Sequence, residues 1–269
     1  MAPVKVAYST NAYTLWPLER AIDDIRDAGF DGVEILADDP HAFPPGDPDA
    51  IRARLRGFPI SNLNGNTVRG KFEPSLIHPD SHARRERIGY TKAVLDLARA
   101  LGSETVCTSS GFLTPGVSSS QAREWFLDSL ERILAYAERS PAVRVGIECE
   151  PGFFVDRMEP LSRILEELDH PLLGLNLDLG HAVCVGDSFE DILEMFSRHI
   201  WNIHVEDIEG RVHHHLIPGH GSIRFDRFRA ALDRHRYDRF LTLEIYPYKE
   251  NPGEAGREGL AFLRKILGR

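Results

Sequence analysis

Trp201-Asn-Ile-His-Val-Glu-Asp-Ile-Glu-Gly-Arg211 is a β-prone stretch that carries His204 at the end of an apolar run. The loop that follows contains four more histidines, at positions 213–215 and 220. Five of the twelve histidines of the chain therefore lie between residues 204 and 220. Neutral imidazoles are common ligands of transition metals. The stretch predicts a strand that delivers one histidine to a metal site, followed by a loop that supplies others.

On either side of this stretch, short β-branched runs alternate with longer amphipathic segments. The predicted strands cover residues 4–8, 32–36, 59–63, 105–108, 143–148, 172–178, 200–204 and 240–245. The predicted helices cover residues 15–28, 48–56, 83–100, 119–139, 161–168, 189–196, 225–235 and 254–267. Eight strand-then-helix units are typical of a (β/α)8 TIM barrel. We therefore predict an α/β protein with one barrel domain over residues 1–269.

The composition limits the class of partner. The formal net charge is −9, and nonspecific binding of nucleic acid depends on Lys and Arg that neutralise phosphates. This charge argues against nucleic acid as a partner. No run reaches the length of a membrane span, and residues 1–10 lack the pattern of a signal peptide. The three cysteines are odd in number and lack C-x-x-C spacing, which favours a reducing, cytoplasmic location.

Four of the predicted strands end in a polar side chain: Glu148, Asp178, His204 and Glu244. The carboxyl ends of the strands form the active-site face of a (β/α)8 barrel. Burial of a polar group is costly unless the group is paired or bound to a metal. Any one of these residues could be a helix cap or half of an ion pair. Together they predict one divalent metal site, for Mn²⁺ in the first place and for Zn²⁺, Co²⁺ or Mg²⁺ otherwise.

A second metal is a further possibility. His181 lies three residues beyond Asp178, and alternate residues of an extended loop, His213 and His215, point the same way. These three histidines could hold a second ion. The alternative is that His181 binds substrate and that the loop is flexible.

Other residues near the strand ends are candidates for contact with substrate. Glu150 follows Glu148 by two positions and is predicted to face the same side of the barrel mouth. Asn64 is a weaker candidate for the pocket lining, together with Asn66 and Glu34. Aromatic side chains in the same loops would suit the apolar face of a sugar, although simple packing explains them equally well; they are Trp16, Phe72, Phe112, Phe153 and Phe154.

These motifs resemble the xylose isomerase-like barrel superfamily over the whole chain. The ordered set Glu148…Asp178-Leu-Gly-His181…His204…Glu244 carries the resemblance, with Gly210-Arg211 in support. In the epimerase branch, the residues that match Glu148, Asp178, His204 and Glu244 bind one divalent metal. Those that match His181 and Arg211 contact the substrate there.

The endonuclease IV branch of the superfamily resembles the chain less closely. That branch has an Asp where this chain has His213, and histidines where this chain has Asn64 and Ser109-Ser110. One of its three metals would therefore lose ligands here, which disfavours DNA cleavage. The His-rich loop before Pro218 is longer than in the epimerases, which keeps a two-metal site open.

The resemblance implies a metal-dependent isomerase or epimerase of a sugar, keto-sugar or cyclitol, with Glu148 and Glu244 as catalytic base and acid. Proton transfer would pass through a metal-stabilised enediolate. The alternatives are a dehydratase or lyase acting on a related keto-cyclitol, a two-metal phosphodiesterase of the endonuclease IV kind, and a binding module without catalysis. Since relatives are often dimers or tetramers, a homo-oligomer is also expected.

Overall fold

A computed structural model describes residues 4–269, in which eight parallel strands close into one barrel. The strands are β1 (Lys5–Ser9), β2 (Gly32–Leu36), β3 (Ile60–Asn64), β4 (Thr105–Thr108), β5 (Arg144–Ile147), β6 (Leu173–Asp178), β7 (Ile200–Val205) and β8 (Phe240–Leu243). Each strand pairs with the next one along the chain, and β8 pairs with β1 to close the ring. The predicted (β/α)8 barrel is confirmed.

Nine α-helices of the described residues surround the barrel. They are α1 (Leu18–Asp27), α2 (Pro48–Leu55), α3 (Ser81–Leu101), α4 (Ser119–Ala137), α5 (Met158–Leu168), α6 (Leu179–Val185), α7 (Phe189–Phe196), α8 (Phe225–His235) and α9 (Pro252–Ile266). The bounds predicted from the sequence agree with the observed ones to within three residues. Helix α6 was not predicted, because its seven residues directly continue the apolar run of β6 and are too few to show a helical period.

The amphipathic pattern gives most helices the expected buried face. In α1, Leu18, Ile22 and Ile25 are buried. Helix α4 differs, because Trp125 is only half-buried and lies under the guanidinium of Arg84, 4.5 Å from the ring centre. Ser129 is buried in that helix instead and donates to the carbonyl oxygen of Leu76 at 2.8 Å.

Strand register brings the polar strand ends to one level of the barrel. Asp178 on β6 is paired with His204 on β7, and His204 with Thr242 on β8. Glu244 follows Thr242 by two residues and Glu148 directly follows β5. Residues that are far apart in the chain therefore meet at the carboxyl face.

A layer of hydrogen-bonded polar side chains lies inside the barrel on the same strands. Asn202 Nδ2 donates to the side-chain oxygen Oδ1 of Asn176 at 2.9 Å. The hydroxyl of Thr242 lies 2.8 Å from Asn202 Oδ1 and 3.0 Å from the hydroxyl of Ser61. All four residues are buried. Buried polar groups are tolerated when they are paired in this way.

Among residues 4–269, no helix has both the length and the apolar composition that a membrane span requires.

Candidate metal centre and active site

The four strand-end residues predicted to share a metal lie together in the structure. Glu148, Asp178, His204 and Glu244 each offer a ligand atom, and these atoms lie within 4.8 Å of one another. All four residues are buried. They come from four consecutive strands of the barrel, so the register described above accounts for their convergence.

His204 is the centre of this cluster. Its Nδ1 lies 2.8 Å from Glu148 Oε1 and 3.3 Å from Glu244 Oε2, while its Nε2 lies 2.7 Å from Glu34 Oε2. Burial alone would lower the pKa of the imidazole, but the three surrounding carboxylates outweigh burial and raise this pKa well above its usual value. Without a metal, His204 is therefore an imidazolium that donates from both ring nitrogens.

Glu34 lies behind His204 and does not line the cavity, contrary to its weaker assignment from the sequence. Its side chain is fully buried and accepts a bond from Asn62 Nδ2 at 2.8 Å. Burial opposes ionisation, but the charge and hydrogen bond of His204 outweigh it and lower the pKa of Glu34. A carboxylate that accepts from the Nε2–H of a histidine leaves Nδ1 free to bind a metal.

Three asparagine amides orient the two candidate catalytic carboxylates. Asn11 Nδ2 and Asn64 Nδ2 donate to Glu244 Oε1 at 2.7 and 3.2 Å, and Asn66 Nδ2 donates to Glu148 Oε2. Neutral donors restrain a carboxylate without cancelling its charge. In the structure Asn64 therefore contacts Glu244 directly, and it also lines the cavity.

Asp178 is held beside a second buried carboxylate, Glu206. Asp178 Oδ1 accepts from the backbone N–H of His181 at 2.7 Å and so caps α6, whereas Oδ2 is buried with no hydrogen-bond partner among residues 4–269. Burial raises the pKa of Asp178 well above its usual value, and the neighbouring Glu206 raises it further. Burial likewise raises the pKa of Glu206 to about 8.

The close approach of Glu206 requires a glycine at position 180 of the Asp178-Leu-Gly-His181 motif. Glu206 Oε1 accepts from the backbone N–H of Gly180, and a Cβ at Gly180 would overlap that oxygen. Only glycine allows Glu206 to approach α6 so closely.

The donor set fits a divalent cation. It combines one imidazole with three buried carboxylates, and one carboxylate oxygen, Asp178 Oδ2, finds no partner within the described chain. Burial of several like charges is strongly unfavourable unless a cation compensates them. Imidazole and carboxylate ligands suit Mn²⁺, Zn²⁺, Co²⁺ and Mg²⁺, and they do not select one of them.

The three histidines predicted for a second metal also meet. His213 Nε2 lies 2.8 Å from His181 Nε2 and 2.6 Å from His215 Nε2. His215 Nδ1 lies 2.9 Å from the carbonyl oxygen of Glu244, so that Nδ1 carries the proton and Nε2 presents a lone pair. Burial lowers the pKa of His213 and of His215 to about 4 and lowers that of His181 well below its usual value. The three rings are neutral at pH 7.

Both clusters open into one cavity of about 730 Å³ at the carboxyl face. Glu150 lines it as predicted, with Oε1 3.7 Å from His181 Nε2 and 3.8 Å from His213 Nδ1. Burial, followed by repulsion from Glu148, raises the pKa of Glu150 to about 9. Glu150 is therefore protonated at neutral pH in the metal-free protein and can donate a hydrogen bond.

Arg211 lies away from this cavity. The residue is exposed, does not line the cavity, and places its guanidinium against Gly186 at the end of α6. The contact with substrate that the resemblance implied for Arg211 has no support in this position. A loop residue seven positions beyond His204 has no strand to fix its direction, which explains the difference.

Three site residues were not singled out from the sequence. Asn11 restrains Glu244, Glu206 lies against Asp178, and Tyr246 packs on His215 with ring centres 4.5 Å apart. A usable signal existed for Glu206 and Tyr246, since each follows a predicted ligand by two residues and so shares its face. Asn11 lies in a 3₁₀ helix, Thr10–Tyr13, that the apolar pattern does not predict.

Known proteins share this fold and this length. The model of the xylose isomerase-like TIM barrel family matches residues 22–266. Fructoselysine 3-epimerase of Escherichia coli O157:H7 is 23% identical over 279 residues, with 98% of each protein covered. Two solved structures, each 18% identical, superpose closely. They are 3-keto-D-glucoside 4-epimerase from E. coli (TM-score 0.84, 97% of this chain and 99% of that one) and the IolI protein with a zinc atom (TM-score 0.81, 98% of both).

The family match extends from α1 to α9 and includes every strand end that supplies a residue of the site except that of β1. On that basis the chain belongs to the family of xylose isomerase-like TIM barrels.

Proposed function

We propose that the protein is a divalent-metal-dependent isomerase or epimerase of a sugar, keto-sugar or cyclitol. A sugar epimerase or isomerase fits the relatives of the chain. The observation that carries the proposal is the convergence of Glu148, Asp178, His204 and Glu244 beside a cavity large enough for a small molecule, which Glu148 and Glu244 line.

Glu148, Asp178, His204 and Glu244 would hold the metal. A bound divalent cation polarises a carbonyl group and stabilises the negative charge that develops when the neighbouring carbon loses its proton. Fructoselysine 3-epimerase acts on a sugar derivative, and the IolI structure contains zinc, so both sides of the proposal have precedent among similar proteins.

Glu148 and Glu244 would move the proton. Both carboxylates reach His204 Nδ1, and asparagine amides orient each of them. One would take the proton from the carbon beside the carbonyl, and the other would return a proton to the opposite face, which inverts that centre. A carboxylate held in this way can act as a general base and, once protonated, as a general acid.

His181, Glu150 and Asn64 would bind the substrate. All three line the cavity beside the proposed metal ligands. The Glu150 carboxyl can form a hydrogen bond with a substrate hydroxyl, and the neutral His181 can accept a bond from another. These contacts would orient the sugar so that one C–H bond points at a carboxylate.

The test is solvent exchange in D₂O followed by NMR, with the metal-loaded protein and a panel of ketohexoses, keto-glucosides and inososes. We expect deuterium at the carbon beside the carbonyl and loss of at least about 10³-fold of the exchange rate in Glu148→Gln, since the general base is removed. Glu258→Gln, which changes an exposed carboxylate far from the cavity, is the control. Full activity of Glu148→Gln contradicts the proposal, and loss of water from the product assigns a dehydratase instead.

A second candidate is favoured by one observation, the cluster of His181, His213 and His215. Three neutral imidazoles with convergent Nε2 atoms are suited to a second ion. Two metals per chain with cleavage of an abasic-site duplex would support a phosphodiesterase of the endonuclease IV kind. Two metals without cleavage would leave the epimerase with an additional metal.

A further inference from the structure

The charge of the cavity limits the charge of the substrate. Within the described residues, the lining contains five carboxylate side chains, a single lysine (Lys249) and no arginine. Proteins that bind phosphorylated sugars need cations or free backbone N–H groups for the phosphate, and like charges across an interface disfavour binding. Glu148 and Glu244 would be taken up by the metal, which leaves Asp38, Asp39 and Glu150 against the single Lys249. The cavity therefore disfavours a sugar phosphate.

One side of the cavity mouth is a wall of three phenylalanines. Phe72, Phe112 and Phe153 come from the loops after β3, β4 and β5, and their ring centres lie 5.0 Å apart for Phe72 and Phe153 and 4.4 Å apart for Phe112 and Phe153. The rings meet edge to face, an arrangement that aromatic pairs prefer. Phe72 lines the cavity, and the exposed ring of Phe112, which is not part of the lining, has its centre 6.3 Å from that of Phe72.

Contacts between the loops hold this wall in place. The backbone N–H of Phe154 donates to Gly111 at 2.9 Å, and that of Val155 donates to Ser110 Oγ at 3.0 Å. A Cβ at Gly111 would overlap Ser75, so the loops after β3 and β4 touch where only glycine fits. The wall is therefore built before any ligand arrives.

The wall leaves apolar surface in water. Phe112 is 48% exposed and its neighbour Leu113 38% exposed. Of the six large hydrophobic residues that are exposed in residues 4–269, five lie in segments that follow strands at the carboxyl face, and only Met195 does not. Exposed apolar surface that is concentrated on the face that bears the cavity indicates a binding surface.

We propose that the substrate is an uncharged keto-sugar that carries an apolar or aromatic substituent, and that this substituent lies along Phe72 and Phe112. The part of this proposal that makes the substrate a keto-sugar rests on the proposed function. The cavity is continuous from the carboxylate cluster to Phe72, so one ligand can contact both. A second protein chain is a poorer occupant, because Phe72 faces the interior of the cavity.

The test is calorimetric binding to the Mn²⁺-loaded protein, using the methyl and phenyl glycosides of one 3-keto-glucose and the 6-phosphate of the methyl compound. We expect the phenyl glycoside to bind about tenfold more tightly than the methyl one, and the phosphate more weakly than its uncharged parent. In Phe112→Ala the preference for phenyl should fall to about twofold or less. The control Met195→Ala removes another exposed hydrophobic side chain, from α7, and should keep the preference for phenyl.

The results of this binding test can be distinguished from those of the deuterium-exchange test of the proposed function. Equal affinity for the two glycosides, no binding of either, or tighter binding of the phosphate overturns the substrate assignment, even if keto-sugars exchange deuterium. A phenyl preference that depends on Phe112 supports it, even if no exchange is found. Association of chains that is lost in Phe112→Ala, together with equal glycoside affinities, would assign the wall to a protein interface.

Discussion

Four histidines lie at the carboxyl face of the barrel, yet they divide into two groups with opposite acid–base behaviour. His204 lies among carboxylates, and its pKa is raised well above the usual value. His181, His213 and His215 lie against one another, and burial lowers the pKa of each. Burial lowers the pKa of all four imidazoles, and only at His204 do neighbouring carboxylates outweigh it. A cation in the carboxylate cluster would remove the reason for the charge on His204.

The largest expected effect is a difference in stability between a variant of His204 and a variant of the other histidine group. In metal-free protein, His204→Gln removes the imidazolium and leaves the buried carboxylates of Glu34, Glu148 and Glu244 uncompensated. We expect the free energy of unfolding to fall by about 3–5 kcal/mol. His213→Gln, a neutral and partly exposed ring, should cost about 1 kcal/mol. Urea denaturation of both variants in chelator measures the difference, and equal losses would contradict the comparison.

The pH dependence of stability should also differ in sign. The pKa of His215 is about 4 in the folded metal-free protein, below the ordinary value of about 6.5 in an unfolded chain. The unfolded chain therefore binds more protons between these pH values, and stability falls as the pH is lowered through that window. The raised pKa of His204 has the opposite consequence, since its contribution is present below about pH 6.5 and is lost only as pH rises through the folded pKa.

The variant His215→Gln isolates the contribution of His215 to the pH dependence of stability. The variant should lose about 3 kcal/mol less stability than the wild-type chain between pH 7 and pH 4, because it lacks the group that the unfolded state protonates. Denaturant unfolding at the two pH values gives the difference. An identical pH dependence in the two proteins would mean that His215 is protonated in the fold.

A smaller effect is expected from Glu34, whose carboxylate supports His204, and it concerns metal affinity. Its bond to Nε2 orients His204 with Nδ1 toward the other ligands. Because partners behind a metal ligand typically contribute 10–100-fold to affinity, Glu34→Gln should weaken Mn²⁺ or Zn²⁺ binding by about that factor. Titration calorimetry measures it, with Glu258→Gln as the unchanged control. Unaltered affinity would show that Glu34 has only a packing role.

The smallest effect is expected at Asn11. Asn11→Ala removes one donor to Glu244 Oε1, while Asn64 still donates to the same oxygen. We expect a loss of about 1 kcal/mol in the free energy of unfolding, the usual value for one hydrogen bond. A loss as large as that of His204→Gln would mean that the amides, and not the imidazolium, compensate the carboxylates.

The sequence predicted the barrel and the convergence of residues better than it predicted their partners. A strand end fixes where a side chain points, so Glu148, Asp178, His204 and Glu244 could be placed from pattern alone. Glu34 and Glu206 could not, because whether a carboxylate faces the cavity or supports a ligand depends on packing between strands. Arg211 lies in a loop whose path no periodic pattern describes, and its position differs from the expectation.

The central claim is that one divalent ion is bound by residues of four strands. An anomalous-difference map from a crystal grown with Mn²⁺, collected at the absorption edge of that metal, tests it most directly. We expect a peak about 2.0–2.3 Å from Nδ1 of His204 and from carboxylate oxygens of Glu148, Asp178 and Glu244. No peak there in protein that has bound the ion, or a peak only among His181, His213 and His215, would contradict it.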